Sequence, residues 1–173
     1  MRVIGLDPGL RRTGWGIVEI EDNRLRHIAN GAIAPETAAD LAIRLMHLHE
    51  GLAMVLRDFA PHEAAVEETL ANRNPASTLK LGMARGTALL SAALAGLPTT
   101  EYLPMTVKKA VVGTGHAKKE QVAMMVERLL PGCDIAGPDA ADALAVAICH
   151  AHSAQSTRRW GAAARVALAE SAT

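Results

Sequence analysis

The chain is poor in aromatic residues: Trp15, Phe59, Tyr102 and Trp160 are all it has in 173 positions. Stacking of bases on aromatic rings, a common way of gripping single strands, therefore has few candidates. The core must be built mostly from Ala, Leu, Val and Ile. Cysteine is scarcer still. Cys133 and Cys149 have no metal-type or redox spacing, which predicts a reduced, cytoplasmic compartment. No apolar run is long enough to span a bilayer. The stretch from Met1 to Asp7 reaches an acid and a Pro-Gly turn before any apolar segment of sufficient length, so no signal peptide is expected there. Net charge is missing too, since 18 basic residues face 18 acidic ones.

What is present is hydrophobicity, at 50% of positions. With this length it fits one globular domain with a substantial core. The neutral total also conceals a bias. Between Thr69 and Lys119 the basic residues are Arg73, Lys80, Arg85, Lys108, Lys109, Lys118 and Lys119, and the only acid is Glu101. Seven minus one leaves six positive charges, a surface suited to a polyanion. Any one of these side chains also reads as part of a solvated helix face.

Residues 2–6 are a short apolar run closed by Asp7-Pro8-Gly9, which predicts a buried strand ending in a loop. Residues 13–20 and about 25–33 are further strands, with Glu21-Asp22-Asn23 as the turn of an antiparallel hairpin. Leu41, Leu45, Leu48, Leu52, Val55 and Phe59 recur at helical spacing, with Thr37 as a plausible N-cap. Residues 63–67 read as a short strand. A long helix over about 75–95, stopped by Gly96 and Pro98, has two apolar sides, Leu79, Met83, Leu90 and Leu94 on one and Leu81, Ala84 and Ala88 on another. One side serves the core, the other something else. A weak strand at 99–103 and helices at about 105–111, 118–130 and 139–152 complete a domain over 1–152, and residues 153–173 read as a flexible tail. The pattern predicts an α/β fold, a mixed sheet between helices.

In such sheets function gathers beyond the C-terminal ends of the parallel strands, where Asp7 and Glu67 fall. The third piece is Gly137-Pro138-Asp139-Ala140-Ala141-Asp142, followed by no polar residue until Cys149. A helix apolar on nearly all sides is buried, and acids three apart sit on one face of its first turn. Carboxylates beside a buried helix lose solvation and repel one another, which a divalent cation offsets. Asp7, Glu67, Asp139 and Asp142 are therefore candidates for one carboxylate cluster. Such a cluster suits hydrolysis of a phosphodiester by two ions roughly 3.5–4 Å apart, one activating water and one stabilising the leaving oxygen. Each acid also has a plain structural role open to it: Asp7 in a turn, Asp139 at a helix start, Glu67 and Glu68 at a solvated strand end. His150 and His152 are two apart and face different ways, so a satisfied core or surface role suits them better than metal ligation.

Several stretches carry a family resemblance. They are Ile4-Gly5-Leu6-Asp7-Pro8-Gly9 with Thr13-Gly14-Trp15-Gly16; Val66-Glu67-Glu68; Asn74 with Leu79-Lys80-Leu81-Gly82 and Ala84-Arg85-Gly86; Val107-Lys108 with Val111-Val112-Gly113-Thr114-Gly115; Lys119 with Gln121-Val122; and Asp139-Ala140-Ala141-Asp142-Ala143-Leu144-Ala145. Over about residues 2–152 the sequence resembles the RuvC family of Holliday junction resolvases. The resemblance implies a ribonuclease H-like fold with a five-stranded sheet and helices on both faces. It implies a homodimer, which would occupy the second apolar side of helix 75–95. It also implies Asp7, Glu67, Asp139 and Asp142 as catalytic residues and ligands of Mg2+, with Mn2+ as a substitute and two ions per site. Glu67 takes the catalytic position by alignment to the downstream Leu-Lys-Leu-Gly, and Glu68 a variable one. Lys108 and Lys119 match basic residues near the DNA; Lys118, Arg73, Lys80 and Arg85 read as backbone contacts.

The implied activity is symmetrical nicking of two like strands of a four-way junction in recombination and DNA repair, leaving 5′-phosphate and 3′-hydroxyl ends. The implied partner is the RuvA–RuvB branch-migration complex. One departure stands out. Family members can carry an aromatic residue three positions after the catalytic glutamate, stacking on unpaired bases at the junction centre; here that position is Leu70, an apolar wedge with weaker stacking. Three rivals remain: an actin-like ATPase, which needs a second phosphate hairpin and a second domain; a small nuclease for RNA ends; and a junction-binding module without catalysis, which needs no four acids.

Overall fold

The computed structural model describes residues 1–22, 24–69 and 74–171, with residues 155–171 described as helix backbone only. Among them, β1 (Arg2–Asp7), β2 (Thr13–Glu21), β3 (Arg24–Ile33), β4 (Glu63–Glu67) and β5 (Thr99–Tyr102) form one sheet in the order β3-β2-β1-β4-β5. The β1–β2 and β2–β3 pairs are antiparallel, as the hairpin signal predicts, and β4 and β5 add parallel to β1. Helices α1 (Leu41–Phe59) and α2 (Pro75–Leu94) cover one face; α3 (Pro104–Val112), α4 (Lys119–Leu129) and α5 (Pro138–Ser171) cover the other. This is the mixed five-stranded sheet with helices on both faces of a ribonuclease H-like fold.

The period-2 alternation of a strand divides the core. On β1, Ile4 and Leu6 pack with Leu48, Leu52 and Leu56 of α1, while Val3 packs with Leu144, Ala147 and Ile148 of α5. On β4, Ala64 and Val66 join the α1–α2 side and Ala65 the α5 side. Asp7 follows Val3 and Gly5 in the same alternation, and Glu67 follows Ala65. Both acids therefore emerge on the α5 face.

The helix α5 lies unusually close to the sheet because the sheet is bare there. A Cβ on Gly5 would sit 2.1 Å from the Ala143 carbonyl oxygen, one on Gly14 1.9 Å from that of Asp139, and one on Gly16 2.6 Å from the Leu144 side chain. Gly5 and Gly16 are direct register partners, and Gly14 pairs with Asp7. Three glycines thus make a groove into which the Ala-rich first half of α5 settles, and the contact brings its first turn against the C-terminal end of β1.

Two boundaries differ from the sequence reading. The N-cap of α1 is Asp40, with no side-chain cap bond, rather than Thr37; Thr37 lies in a preceding turn where Ala39 N–H donates to the Glu36 carbonyl. And α5 does not stop near 152 but runs to Ser171, as the good helix formers of that Ala-rich segment allow.

Candidate active site

Asp7 and Glu67 terminate neighbouring parallel strands, one residue beyond the paired Leu6 and Val66. Their side chains are hydrogen-bonded to each other. Burial, then the negative charge of Asp142, pushes Asp7 up to about 6; burial, then the charge of Asp7, pushes Glu67 up to about 8. The bond favours the charged form of Asp7 and the neutral form of Glu67, so Glu67 holds the proton and donates it to Asp7. With Asp142 they line a cavity of about 170 Å³, together with Lys108, Lys119 and Val107.

The α5 acids are neutralised differently. Lys119 Nζ donates to Asp142 Oδ2 at 2.7 Å, which raises the lysine's affinity for its proton. Arg12 Nε lies 3.7 Å from Asp139 Oδ2. So every carboxylate has its own compensation: a shared proton on Asp7 and Glu67, a lysine on Asp142, an arginine on Asp139. The four acids are gathered as a three-and-one set. Asp142 faces Asp7 and Glu67, whereas Asp139 stands at the edge, opening on the neighbouring groove, though its charge still reaches Asp7.

Among the described residues no three His, Cys, Asp or Glu side chains converge closely enough to hold an ion as they stand. The donor set nevertheless fits a hard divalent cation. It consists of carboxylate oxygens, those of Asp7 and Glu67 half-buried, which is the chemistry magnesium takes. A pair that must share a proton is a pair that a cation would deprotonate.

The matched family model is that of crossover junction endodeoxyribonuclease RuvC, over residues 3–150. The chain belongs to the RuvC family. A crossover junction endodeoxyribonuclease RuvC from Paramagnetospirillum magneticum is 65% identical over 152 residues, 88% of this chain and 92% of the relative. One from Gluconobacter oxydans is 56% identical over 167 residues, 96% and 99% of the two chains. Among solved structures, Thermus thermophilus RuvC in complex with Holliday junction substrate superposes with a TM-score of 0.83 at 36% identity, covering 91% of this chain and 96% of the other. The chain is thus a RuvC-type nuclease by family.

Within this RuvC-type frame the basic residues divide. Lys108 and Lys119 face the carboxylate cavity. Lys118 and Lys80 are exposed, the former at the α4 N-cap with its backbone N–H donating to Gln121 Oε1. Arg85, expected as a DNA contact, is only 25% exposed. Its Nε donates to Glu101 Oε1 at 2.5 Å, and its Nη2 lies 4.0 Å from Glu68 Oε2. It ties α2 to β5 and to the residue after Glu67. Leu70 and Arg73 lie outside the described residues. His150 is buried and satisfied by Glu63 and Tyr102 at 2.7 and 2.9 Å. Arg12, the partner of Asp139, was not expected from the sequence, because it lies outside the basic stretch 69–119. The signal available was Arg11-Arg12 directly after the Asp-Pro-Gly turn.

Proposed function

We propose that this protein resolves four-way DNA junctions in recombination and repair by symmetrical, metal-dependent nicking of two like strands, leaving 5′-phosphate and 3′-hydroxyl ends. The observation that carries the reading is the half-buried Asp7–Glu67 pair at adjacent parallel strand ends, facing Asp142 and Lys119. Asp7, Glu67, Asp139 and Asp142 are the catalytic residues and would hold Mg2+, or Mn2+ in its place, as two ions per site. Bound divalent ions supply an activated water and charge stabilisation on the leaving oxygen.

The chain's own side chains do the positioning. To hold an ion, Asp7 and Glu67 would both be ionised, their shared proton lost to solvent, and Asp142 and Asp139 would turn from Lys119 and Arg12. Lys119 and Lys108, beside the scissile phosphate, would offset charge that develops there. Lys80 and Lys118, with Arg73 and the Leu70 wedge on the segment after Glu67, engage the backbone and centre of the junction. Arg85 is reassigned: its bonds to Glu101 and Glu68 suit it to hold that segment's start rather than a phosphate.

A near two-fold junction calls for two like sites, which a symmetric dimer provides. Leu79, Met83, Leu90 and Leu94 are 43–67% exposed along one side of α2 and supply an apolar surface for a second copy. The nuclease unit is taken as residues 1–152, with 153–173 as an appendage. A cytoplasmic setting and cooperation with the RuvA–RuvB machinery complete the reading.

The test is to incubate the protein with a synthetic mobile four-way junction, plain duplex, single-stranded RNA and ATP, with and without Mg2+. Junction-selective, paired, Mg2+-dependent nicks are expected. RNA trimming, ATP turnover, or binding without cutting would each point to a rival. Asp7→Asn should lower cleavage at least a thousandfold while junction affinity stays within about twofold; joint loss of both would make Asp7 structural.

A further inference from the structure

A second cavity of about 530 Å³ opens beside the carboxylate site, on its Asp139 side. Its wall is made by the β1–β2 loop, the first turn of α1 and the first turns of α2. Arg11, Arg12, Arg44 and Lys80 line it, against Asp139 as the one acid. Arg12 already faces Asp139, so that acid is neutralised and three cations remain uncommitted to a carboxylate among the described residues.

The groove is built rather than incidental. Thr13, fully buried, accepts from Gly9 N–H and donates to the Gly9 carbonyl, closing the loop that carries Arg11 and Arg12. A Cβ on Gly9 would sit 2.4 Å from the Arg12 carbonyl oxygen, so the turn has no room to relax. Arg44 donates to the Leu10 carbonyl at 2.7 Å and pins the loop to α1. Its Nε–H is shielded from solvent and has no acceptor, an unusual position for a charged donor. Ser77, whose backbone N–H is capped by Asn74, brings the N-terminal turn of α2 to the same wall, where the helix dipole favours an anion.

We propose that this groove seats backbone phosphates of the DNA arm that leaves the catalytic centre past Asp139, with Arg11, Arg44 and Lys80 as its anchors. This rests on the junction-nuclease reading, takes Lys80 from it and adds Arg11 and Arg44 beside that lysine as further anchors. It lies outside the basic stretch 69–119 except for Lys80, and it explains why two arginines follow the catalytic turn. Phosphate contacts of this kind set register and orientation rather than sequence choice.

The full-length protein is titrated against a fluorescently labelled four-way junction in EDTA, which prevents cutting, over a range of salt concentrations. Arg11→Ala with Lys80→Ala, both exposed positions, should raise Kd roughly tenfold and reduce the salt slope by about two, one for each lost phosphate contact. Arg24→Ala with Arg57→Ala removes the same charge at the opposite end of the sheet and should change neither. Single methylphosphonates placed along one arm should include a position that weakens the wild type and not the Arg11/Lys80 variant. An Arg11/Lys80 variant with wild-type affinity and slope overturns the groove, while wild-type junction cutting leaves the nuclease reading standing. A methylphosphonate profile identical in both proteins overturns it as well. A wild type that does not bind the junction at all removes the nuclease reading and the groove together.

Discussion

The two long helices α2 and α5 are built from similar small and apolar residues and do opposite things with them. From Ala140 to Ala151 α5 is buried at every position except Asp142, because Gly5, Gly14 and Gly16 let its backbone rest on the sheet. Along α2 only Ala84, Ala88, Ser91 and Ala92 are buried, and Leu79, Leu90 and Leu94 are 65%, 57% and 67% exposed. A helix carrying candidate catalytic acids needs a fixed place relative to β1 and β4, and close packing supplies it. A helix offering leucines to water presents a surface that a partner would cover. Apolar content alone does not distinguish them; what lies under each does.

The largest effect should come from breaking the α5 contact. Gly14→Val places side-chain atoms where the Asp139 carbonyl sits, and α5 has no slack to move without carrying Asp139 and Asp142 with it. Overpacking of this kind costs about 1–3 kcal/mol. We expect a thermal midpoint lowered by several degrees and junction cleavage reduced at least a hundredfold, read by calorimetry and nicking assay. A variant of wild-type stability and activity would show that the glycine track does not fix the helix.

Leu90→Glu with Leu94→Glu probes the other helix. Because these side chains are already exposed, the fold should change by no more than about 0.5 kcal/mol. If the proposed dimer forms through this side, sedimentation should show the variant as monomer where the wild type is dimer, with paired nicking becoming single nicking. A variant that remains dimeric would move the interface off this side of α2.

The smallest effect concerns the proton shared beneath α5. Asp7 at about 6 and Glu67 at about 8 hold protons that the unfolded chain releases near pH 4. The native metal-free protein therefore binds more protons in between, and its stability falls as pH rises from about 4 to 8. In EDTA the thermal midpoint should decline over that window, Glu67→Gln should flatten the decline, and Mg2+ should restore stability most at the alkaline end. An unchanged slope in Glu67→Gln would mean the pair is not the source.

Much of this was legible before folding. The apolar run ending in Asp7, the acid at the end of residues 63–67 and the polar-free stretch after Asp142 marked the elements and the chemistry, because strand alternation and helix burial are local patterns. The partners were not legible. Arg85 looked like any exposed lysine or arginine, yet it is consumed by Glu101 and Glu68. Nothing in the pattern joined Arg12 to Asp139, yet the two are paired. Thr37 had the chemistry of a cap but sat three residues too early.

Sequence by itself determined the elements, the side of each strand on which its acid emerges and the identity of the candidate ligands, since these follow from periodicity and residue type. Tertiary structure decided that Asp142 pairs with Lys119 and Asp139 with Arg12 while Asp7 and Glu67 share a proton, that Asp139 stands apart from the other three, and that two arginines after a turn meet a lysine 68 residues later in one groove. Such pairings join residues far apart in the chain, and only the packing of α5 on bare glycines and of α2 against α1 sets their distances.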